Sequence, residues 1–225
     1  MRVSNAPIAV EYVNFADRAR RSAYIAERFR SYLSGKVLDV GCDKAVLKTL
    51  IPSLDYTGID IGGTPDLKLD LDRIDKLPFP DGAFQCVVCS DVLEHLNNLH
   101  HIFGELVRVA KEHLIISLPN CWTAARQPIE RGRGSFGKYG LPVQAPMDRH
   151  KWFFSLSEAR EFIHGQALLR PIAIVEWLAS EKPRPLVVRA LRRARYPSQE
   201  RYLNRYAHTV WVVLKKLPHT DLLDQ

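Results

Sequence analysis

The stretch VLDVGCDKAVL, residues 37–47, combines a short apolar strand, a turn at Gly41 and the start of a helix. Glycine at the turn lets the backbone bend tightly and approach a ligand, and the following helix offers unpaired N–H groups. Asp43 and Ala45 then stand where two further glycines are expected. The stretch therefore predicts a ligand-binding loop after a buried strand, with two unusual residues in it.

The alternation of apolar strand and helix continues outward along the chain. Strands that are apolar on both faces and separated by helices indicate a parallel sheet covered on both sides. We therefore predict a doubly wound, Rossmann-like α/β fold with a seven-stranded sheet and helices on both faces. The strands are predicted at 36–42, 55–61, 66–71, 84–91, 113–119, 170–178 and 208–216, and the clearest helices at 17–34, 44–51, 97–112 and 155–165.

The length allows one large domain or two small ones, and we predict a single domain. The 225 residues are 46% hydrophobic and 25% charged, as in an ordinary soluble globular protein. No run of about 18 apolar residues occurs, so a transmembrane segment is not expected. The N-terminal residues lack the apolar run of a secretory signal, and a cytoplasmic location is the expectation.

Two segments interrupt the regular alternation within the predicted single domain, residues 1–225. The first, at about 120–154, is rich in proline, glycine and aromatic residues, which is typical of a lid or substrate loop or of a disordered segment; we predict a lid or substrate loop. A helix follows it, with a capping box of Ser155 and Glu158 and a stop signal at Gly165. The second, at about 180–206, is basic and is predicted to be helical on either side of Pro197.

Positive charge is concentrated near the C-terminus. The formal net charge is +7, and residues 182–216 carry ten Lys or Arg against one acid, Glu200. The segment 184–205, with Arg189, Arg192, Arg193 and Arg195, has three readings. The three interpretations are a solvated face, a contact for an anionic substrate or membrane surface, and a nucleic-acid site. The second reading draws on the apolar residues that alternate with the arginines, namely Leu186, Val187 and Leu191.

The cysteines predict neither disulfides nor a metal site. Cys86 and Cys89 form a CxxC pattern inside an apolar strand, where residues three apart point to opposite faces. Their thiols therefore cannot easily share a ligand. Since free cysteine commonly packs as a small hydrophobe, we expect both in the core.

An acidic residue lies at the end of the second predicted strand. Asp60 lies about twenty residues beyond the loop, at a distance that fits nucleotide binding of the Rossmann type. A carboxylate at this position can accept hydrogen bonds from both hydroxyls of a ribose. The sequence therefore predicts a nucleotide-like ligand at the carboxyl ends of the strands.

Four segments together carry a resemblance to a known family. They are VLDVGC (37–42), YTGIDI (56–61), LPFPDGAFQCVVCSDVLEHL (77–96) and HLIISLPN (113–120). These segments closely resemble class I S-adenosylmethionine-dependent methyltransferases, and most nearly the small-molecule methylases of the ubiquinone-biosynthesis type. The resemblance covers residues 36–120. It implies a sheet whose last strand is antiparallel, and S-adenosylmethionine as the cofactor.

The resemblance also implies a cofactor role for ten residues, which lie near the carboxyl ends of predicted strands. They are Asp39, Gly41, Cys42 and Asp43 in the loop for the amino-acid end, Asp60 and Ile61 at the ribose, Asp70 and Leu71 at the adenine, and Ser90 and Asp91 at the floor beside the sulfonium. The Cβ of Asp43 opposes the positive φ of glycine, although Asp tolerates it better than most residues. Ala45 adds only a methyl group. We interpret the loop as functional, with Asp43 able to meet the amino group of the methionine moiety.

Methyl transfer to a hydroxyl requires alignment of the acceptor and removal of its proton. His95 and His150 are the candidate bases, and Asp148 could orient His150. In the alternative, purely structural interpretations, His95 packs at the start of a helix, and the residues around His150 anchor the lid. Some ubiquinone-type relatives bind a divalent metal through an acid-x-x-Glu-His cluster, which Asp91, Glu94 and His95 match; our expectation is nevertheless no metal site.

We thus predict a methyltransferase that acts on a small molecule, glycolipid or saccharide, at oxygen. RHKWFFS, residues 149–155, is similar to methylases of bacterial surface saccharides. An RNA or DNA methyltransferase is the alternative. It is disfavoured because the fourth strand ends in CSDV rather than the Asn/Asp-Pro-Pro-aromatic turn of base methylases, and no separate nucleic-acid module is evident. A non-catalytic, cofactor-binding regulatory protein is the third reading.

Overall fold

The computed structural model describes residues 8–135, 137–144, 146 and 148–218. The ends of the predicted domain and three residues of the predicted lid, 136, 145 and 147, lie outside this part. The strands are β1 (Ala9–Tyr12), β2 (Lys36–Val40), β3 (Asp55–Asp60), β4 (Leu67–Lys68), β5 (Phe84–Ser90), β6 (Ala110–Pro119), β7 (Ile172–Glu181) and β8 (Ala207–Lys216). The helices are α1 (Arg18–Arg28), α2 (Val46–Leu50), α3 (Leu99–Val109), α4 (Cys121–Glu130), α5 (Leu156–Leu169), α6 (Leu186–Arg195) and α7 (Gln199–Tyr206).

The eight strands form one sheet in the order β1-β7-β8-β6-β5-β2-β3-β4. β8 runs antiparallel to both of its neighbours, and the other neighbouring pairs are parallel. The predicted doubly wound α/β fold with an antiparallel last strand is therefore confirmed. The predicted count of seven strands missed β1, an edge strand of four residues that pairs only with β7.

Two apolar cores cover the two faces of the sheet. One contains Ile102 of α3 and Ile163 of α5, and the other contains Ile25 of α1 and the fully buried Trp211. Cys89 belongs to the first core and Cys86 to the second. The two thiols thus lie on opposite faces, as the strand pattern predicts, and all four cysteines are free and buried.

Helix α5 has the predicted start and a later end. Ser155 Oγ accepts the N–H of Glu158, and the Glu158 carboxylate accepts the N–H of Ser155 at 2.7 Å. The predicted stop at Gly165 is wrong, because the helix continues to Leu169. Ile163 and Gln166 are buried on either side of Gly165, and this packing outweighs the roughly 1 kcal/mol by which glycine disfavours a helix.

The first part of the predicted lid is helical. α4 occupies Cys121–Glu130 and contains Pro128 in its last turn. Its start is fixed by Asn120, whose side-chain amide donates to the carbonyl oxygens of Ala207 at 2.8 Å and Asn204 at 2.9 Å. The remainder, residues 131–154, contains no helix or strand among its described residues. This shorter segment connects α4 to α5.

Helices α6 and α7 lie on either side of Pro197 in the basic segment. The reading of this segment as a solvated charged face is wrong for several of its arginines, which are half-buried against tyrosine rings. Arg193 lies 4.0 Å from the ring centroid of Tyr202, and Arg192 lies 4.3 Å from that of Tyr206. Across the described residues, no helix combines the length and apolar character needed to cross a membrane.

Candidate functional site

The carboxyl ends of β2, β3 and β5 open into a cavity of about 320 Å³, here called the first cavity. All ten residues that the sequence analysis selected for a cofactor line it. They are Asp39, Gly41, Cys42, Asp43, Asp60, Ile61, Asp70, Leu71, Ser90 and Asp91. A cavity of this size at the ends of parallel strands, between the loops that follow them, is a typical ligand site of an open α/β sheet.

The carboxylate of Asp60 connects two loops that border the first cavity. One oxygen accepts the N–H of Asp43 at 2.8 Å, and the other accepts the N–H of Gly62 at 2.9 Å. The carbonyl of Asp43 in turn accepts the N–H of Thr64 at 2.7 Å. A Cβ on Gly63 would lie 2.1 Å from that carbonyl oxygen, so only glycine fits here. Gly63 was not predicted as a site residue, although the Gly-Gly pair after Ile61 was a signal.

The loop adopts the backbone that its missing glycines would favour. Asp43 and Ala45 both have φ of 50°. The expectation that Ala45 adds only a methyl group is therefore incomplete, because its backbone is left-handed where α2 begins. Such a conformation costs roughly 1–2 kcal/mol for a residue with a Cβ, and less for Asp, whose side chain can hydrogen-bond locally.

Asp39 lies at the floor of the loop, almost fully buried. Its carboxylate accepts the hydroxyl of Tyr56 at 2.8 Å. Burial raises the pKa of Asp39 to about 6, with a further contribution from the negative charge of Asp60, while the Tyr56 hydrogen bond acts in the opposite direction. This carboxyl group therefore changes its charge in the mildly acidic range.

Two arginines of α1, neither of them predicted as a site residue, complete the first cavity. Arg21 pairs with Asp91 at 2.8 Å, and Arg18 lies 3.6 Å from the Asp43 carboxylate. Asp91 has a positive φ of 51°, and its other oxygen accepts the hydroxyl of Ser117 at 2.6 Å. The spacing of three residues between the arginines, which places them on one face of a helix, was the available signal.

Acidic groups dominate the first cavity. Among its described lining residues, seven are aspartates and two are arginines. Since a cavity with an excess of one charge favours ligands of the opposite charge, this one suits a ligand with positively charged groups.

A cluster of Glu94, His95 and His150 lies at the edge of the first cavity. One oxygen of Glu94 is 3.7 Å from His95 Nε2 and 3.9 Å from His150 Nε2, and the two rings are 4.6 Å apart. Asp148, which the sequence analysis placed beside His150, lies 3.0 Å from His95 Nδ1 instead. The structure thus brings together the two predicted histidines, 55 residues apart, with a glutamate between them.

Glu94 is fully buried, and neither of its carboxyl oxygens has a hydrogen-bond partner among the described residues. Burial, with the nearby charge of Asp91, raises its pKa well above the usual value. His150 Nε2 also has no hydrogen-bond partner in the same part of the chain. Burial, followed by the neighbouring His95, lowers the pKa of His150 to about 4. The cluster therefore presents uncharged imidazole nitrogens and an unpaired carboxyl group.

A second cavity of about 640 Å³ lies on the other side of the cluster. His95 lines the first cavity, whereas Glu94 and His150 line the second. The ion pair of Arg21 and Asp91 borders both. The cluster consequently lies between two cavities, as a reacting centre between two ligands would.

Replacing Ala45 by glycine should stabilise the protein. Glycine adopts φ of 50° without strain, so Ala45→Gly is expected to raise the free energy of unfolding by about 1 kcal/mol. The matched control is Ala23→Gly, an exposed alanine inside α1, which should lower it by about 1 kcal/mol. Urea unfolding of the three proteins measures both effects, and a destabilised Ala45→Gly would contradict the left-handed backbone.

Asp39 should make stability depend on pH. The unfolded carboxyl group loses its proton near pH 4, and the folded one near pH 6, so its contribution is complete below pH 4 and is lost as the pH rises to 6. Asp39→Asn removes this loss. Its free energy of unfolding relative to the parent should rise by about 3 kcal/mol at most between pH 4 and pH 7. A difference that stays constant across this range would show that Asp39 is not the group responsible.

Comparisons with known proteins show the family and the fold of this chain. A family model described as a methyltransferase domain matches residues 14–165. No curated protein matches the chain in sequence. A solved S-adenosylmethionine-dependent methyltransferase from Archaeoglobus fulgidus is 18% identical, with a TM-score of 0.53 over 89% of this chain and 94% of that one.

Two further structures show how widely this fold is used. The small RNA methyltransferase HEN1 is 14% identical with a TM-score of 0.55; the match covers 92% of this chain but only 26% of HEN1. The cyclase SpnF is 14% identical with a TM-score of 0.52, over 96% of this chain and 90% of that one. At these identities the likeness shows the fold alone.

The family model matches more than half of the 225 residues and includes the loop, Asp60 and the Glu94–His95 pair. The nearer similarity to ubiquinone-pathway methylases stays a prediction. The expected class I S-adenosylmethionine-dependent methyltransferase is confirmed at the level of family and fold, and the chain belongs to the methyltransferase domain family.

Proposed function

We propose that this methyltransferase transfers the methyl group of S-adenosylmethionine to an oxygen of a small-molecule or saccharide acceptor. The observation that supports this proposal is the Glu94–His95–His150 cluster between the two cavities. In this arrangement the first cavity takes the cofactor and the second takes the acceptor.

The residues of the first cavity fit the cofactor. The aspartate excess suits its sulfonium and ammonium groups, and Arg18 or Arg21 can pair with its carboxylate. Each oxygen of Asp60 accepts one backbone N–H and retains a lone pair for a ribose hydroxyl. Gly63 keeps the space beside the loop open, since a Cβ would collide with the Asp43 carbonyl. When bound, S-adenosylmethionine supplies a methyl group that is already activated on the sulfonium.

The cluster can prepare a hydroxyl for methylation. His150 Nε2 lines the second cavity without a hydrogen-bond partner among the described residues, so its lone pair can accept the hydroxyl proton. The other ring nitrogen lies 2.8 Å from the Tyr139 hydroxyl, which fixes the orientation of the ring. Asp148 holds His95 in the same way, at 3.0 Å. His150 is thus the proposed base. His95 is the second candidate base, and Asp148 orients it.

The same cluster can instead hold a divalent cation, contrary to our expectation of no metal site. Ligand atoms from Glu94, His95 and His150 all lie within 4.8 Å of one another. Two imidazoles and one carboxylate are a common set of ligands for a divalent transition metal. A cation bound there would supply a Lewis acid beside the acceptor hydroxyl. Asp91, which the sequence analysis included among the ligands, is paired with Arg21, and His150 takes its place.

An RNA acceptor is the alternative. HEN1 is named as a small RNA methyltransferase, but it shares only the fold with this chain. Methylation of RNA would require binding that weakens steeply with salt, because binding to phosphates releases condensed cations. Salt-independent turnover of a neutral saccharide would favour the proposed acceptor over RNA.

Asp60→Ala should strongly weaken cofactor binding. The substitution removes both the ribose ligand and the hydrogen bonds that connect the two loops, so we expect at least a hundredfold weaker binding of S-adenosylmethionine, roughly 3 kcal/mol or more. Calorimetric titration of purified protein with S-adenosylmethionine and S-adenosylhomocysteine measures the change. Asp75→Ala, an exposed aspartate outside the first cavity, is the control. Failure of the unmodified protein to bind either ligand would contradict the proposed cofactor site.

Glu94→Gln should distinguish a cation site from a metal-free base. If the cluster holds a cation, the unmodified protein binds one Mn²⁺ or Zn²⁺ per chain by calorimetry, and Glu94→Gln weakens binding at least about tenfold. Glu161→Gln, on the exposed side of α5, should bind as the unmodified protein does. Absence of cation binding to the unmodified protein would assign the cluster to proton transfer alone.

A further inference from the structure

The arginines of helix α6 lie on the side of the helix that packs against the rest of the protein. The Arg189 guanidinium carbon lies 3.4 Å from the ring centroid of Tyr12, and the Arg193 carbon lies 4.0 Å from that of Tyr202. Arg192 pairs with the buried Glu181 at 2.7 Å. These three cations contact aromatic rings and a carboxylate of the same chain, so they are not available to bind a partner.

The opposite side of α6 is apolar and exposed. Leu186, Val187 and Leu191 are 74%, 69% and 66% exposed, and no residue of the helix is buried. Ala190 and Ala194 are exposed on the same side. Scattered apolar side chains are normal on a protein surface, but a continuous apolar row along a helix is typical of an interaction surface.

Three free cations surround this apolar row. Lys182 and Arg184 precede α6, and Arg195 lies at its end; all three are exposed. Within the part of the chain that the structure describes, none of them forms an ion pair or stacks on a ring. A helix with an exposed apolar row and cations at its edges is suited to lie in the interface of a bilayer that carries negative charge.

We propose that the α6 surface, formed by Leu186, Val187 and Leu191 with Lys182, Arg184 and Arg195, binds this methyltransferase to anionic lipid membranes. The apolar side chains enter the region between headgroups and acyl chains, and the three cations contact lipid phosphates. Charge complementarity favours an anionic membrane as the partner, since the charged residues of this surface are all positive and the whole chain has a net charge of +7. The proposal is independent of the acceptor and of methyl transfer.

Co-sedimentation with vesicles tests the proposal. The full chain should pellet with vesicles of phosphatidylglycerol and phosphatidylcholine, and should stay in solution with pure phosphatidylcholine. Val187→Asp with Leu191→Asp should weaken partitioning at least about tenfold, because two apolar anchors are lost and two like charges are added. Leu169→Asp, equally exposed on α5 at 77%, should bind as the unmodified protein does.

Folding and self-association are measured on the same samples. The substituted side chains are exposed, so thermal unfolding and S-adenosylhomocysteine binding should be unchanged, which separates a lost surface from a lost fold. Lys182→Glu with Arg184→Glu should also reduce binding to the anionic vesicles. The proposal is overturned if the unmodified protein ignores anionic vesicles, or if the aspartate variant still binds them. It is also overturned if sedimentation without lipid shows a dimer that the aspartate variant breaks.

Discussion

The two hydrogen bonds accepted by Asp60 set the shape of the first cavity. Val40 and Ile59 are paired in the parallel ladder of β2 and β3, so the chain leaves both strands at the same edge of the sheet. Asp60 is the next residue on β3, and its carboxylate reaches the N–H of Asp43 in the neighbouring loop. Together with the hydrogen bond from the Thr64 N–H to the Asp43 carbonyl, this contact holds a left-handed loop that lacks glycine at two positions. The loop after β2 is thus held in part by a side chain from the adjacent strand.

Burial has a different consequence at the cluster. Glu94, His95 and His150 lie where the side chains are removed from water, and the glutamate has no group of the described chain to pair with. Burying an unpaired carboxyl group is unfavourable by a few kcal/mol, and such strain is typically retained where function requires it. The cluster lies between the two cavities. In the proposed reaction, the acceptor would contact it on one side and the methyl donor on the other.

Much of the sheet and the first cavity could be predicted because the relevant residues are local in sequence. The residues proposed for the cofactor lie at or shortly after the carboxyl ends of β2, β3, β4 and β5, and the topology of a parallel sheet brings those positions together. Contacts across the chain could not be predicted in the same way. Nothing in the sequence indicates that Arg21 pairs with Asp91, or that His150 joins His95, since these partners belong to separate segments.

Other errors have equally specific causes. β1 was missed because a four-residue edge strand carries too short a pattern, and the start of the lid was read as loop because Pro128 is rare within a helix. The arginines of α6 were counted as surface charge, whereas neighbouring tyrosines bind three of them. Charge counted along a sequence does not reveal which side of a helix carries it.

The enclosure of all four cysteines has a practical consequence. Cys86 and Cys89 lie in the two cores, and burial raises the pKa of both thiols, as it does for Cys42 at the wall of the first cavity. Because the thiolate is the species that reacts with peroxides and alkylating reagents, these groups are poor nucleophiles. A single cysteine introduced on an exposed surface would accordingly be the preferred target of a maleimide dye, with the native thiols left in place. The protein is in this respect already suited to fluorescence labelling.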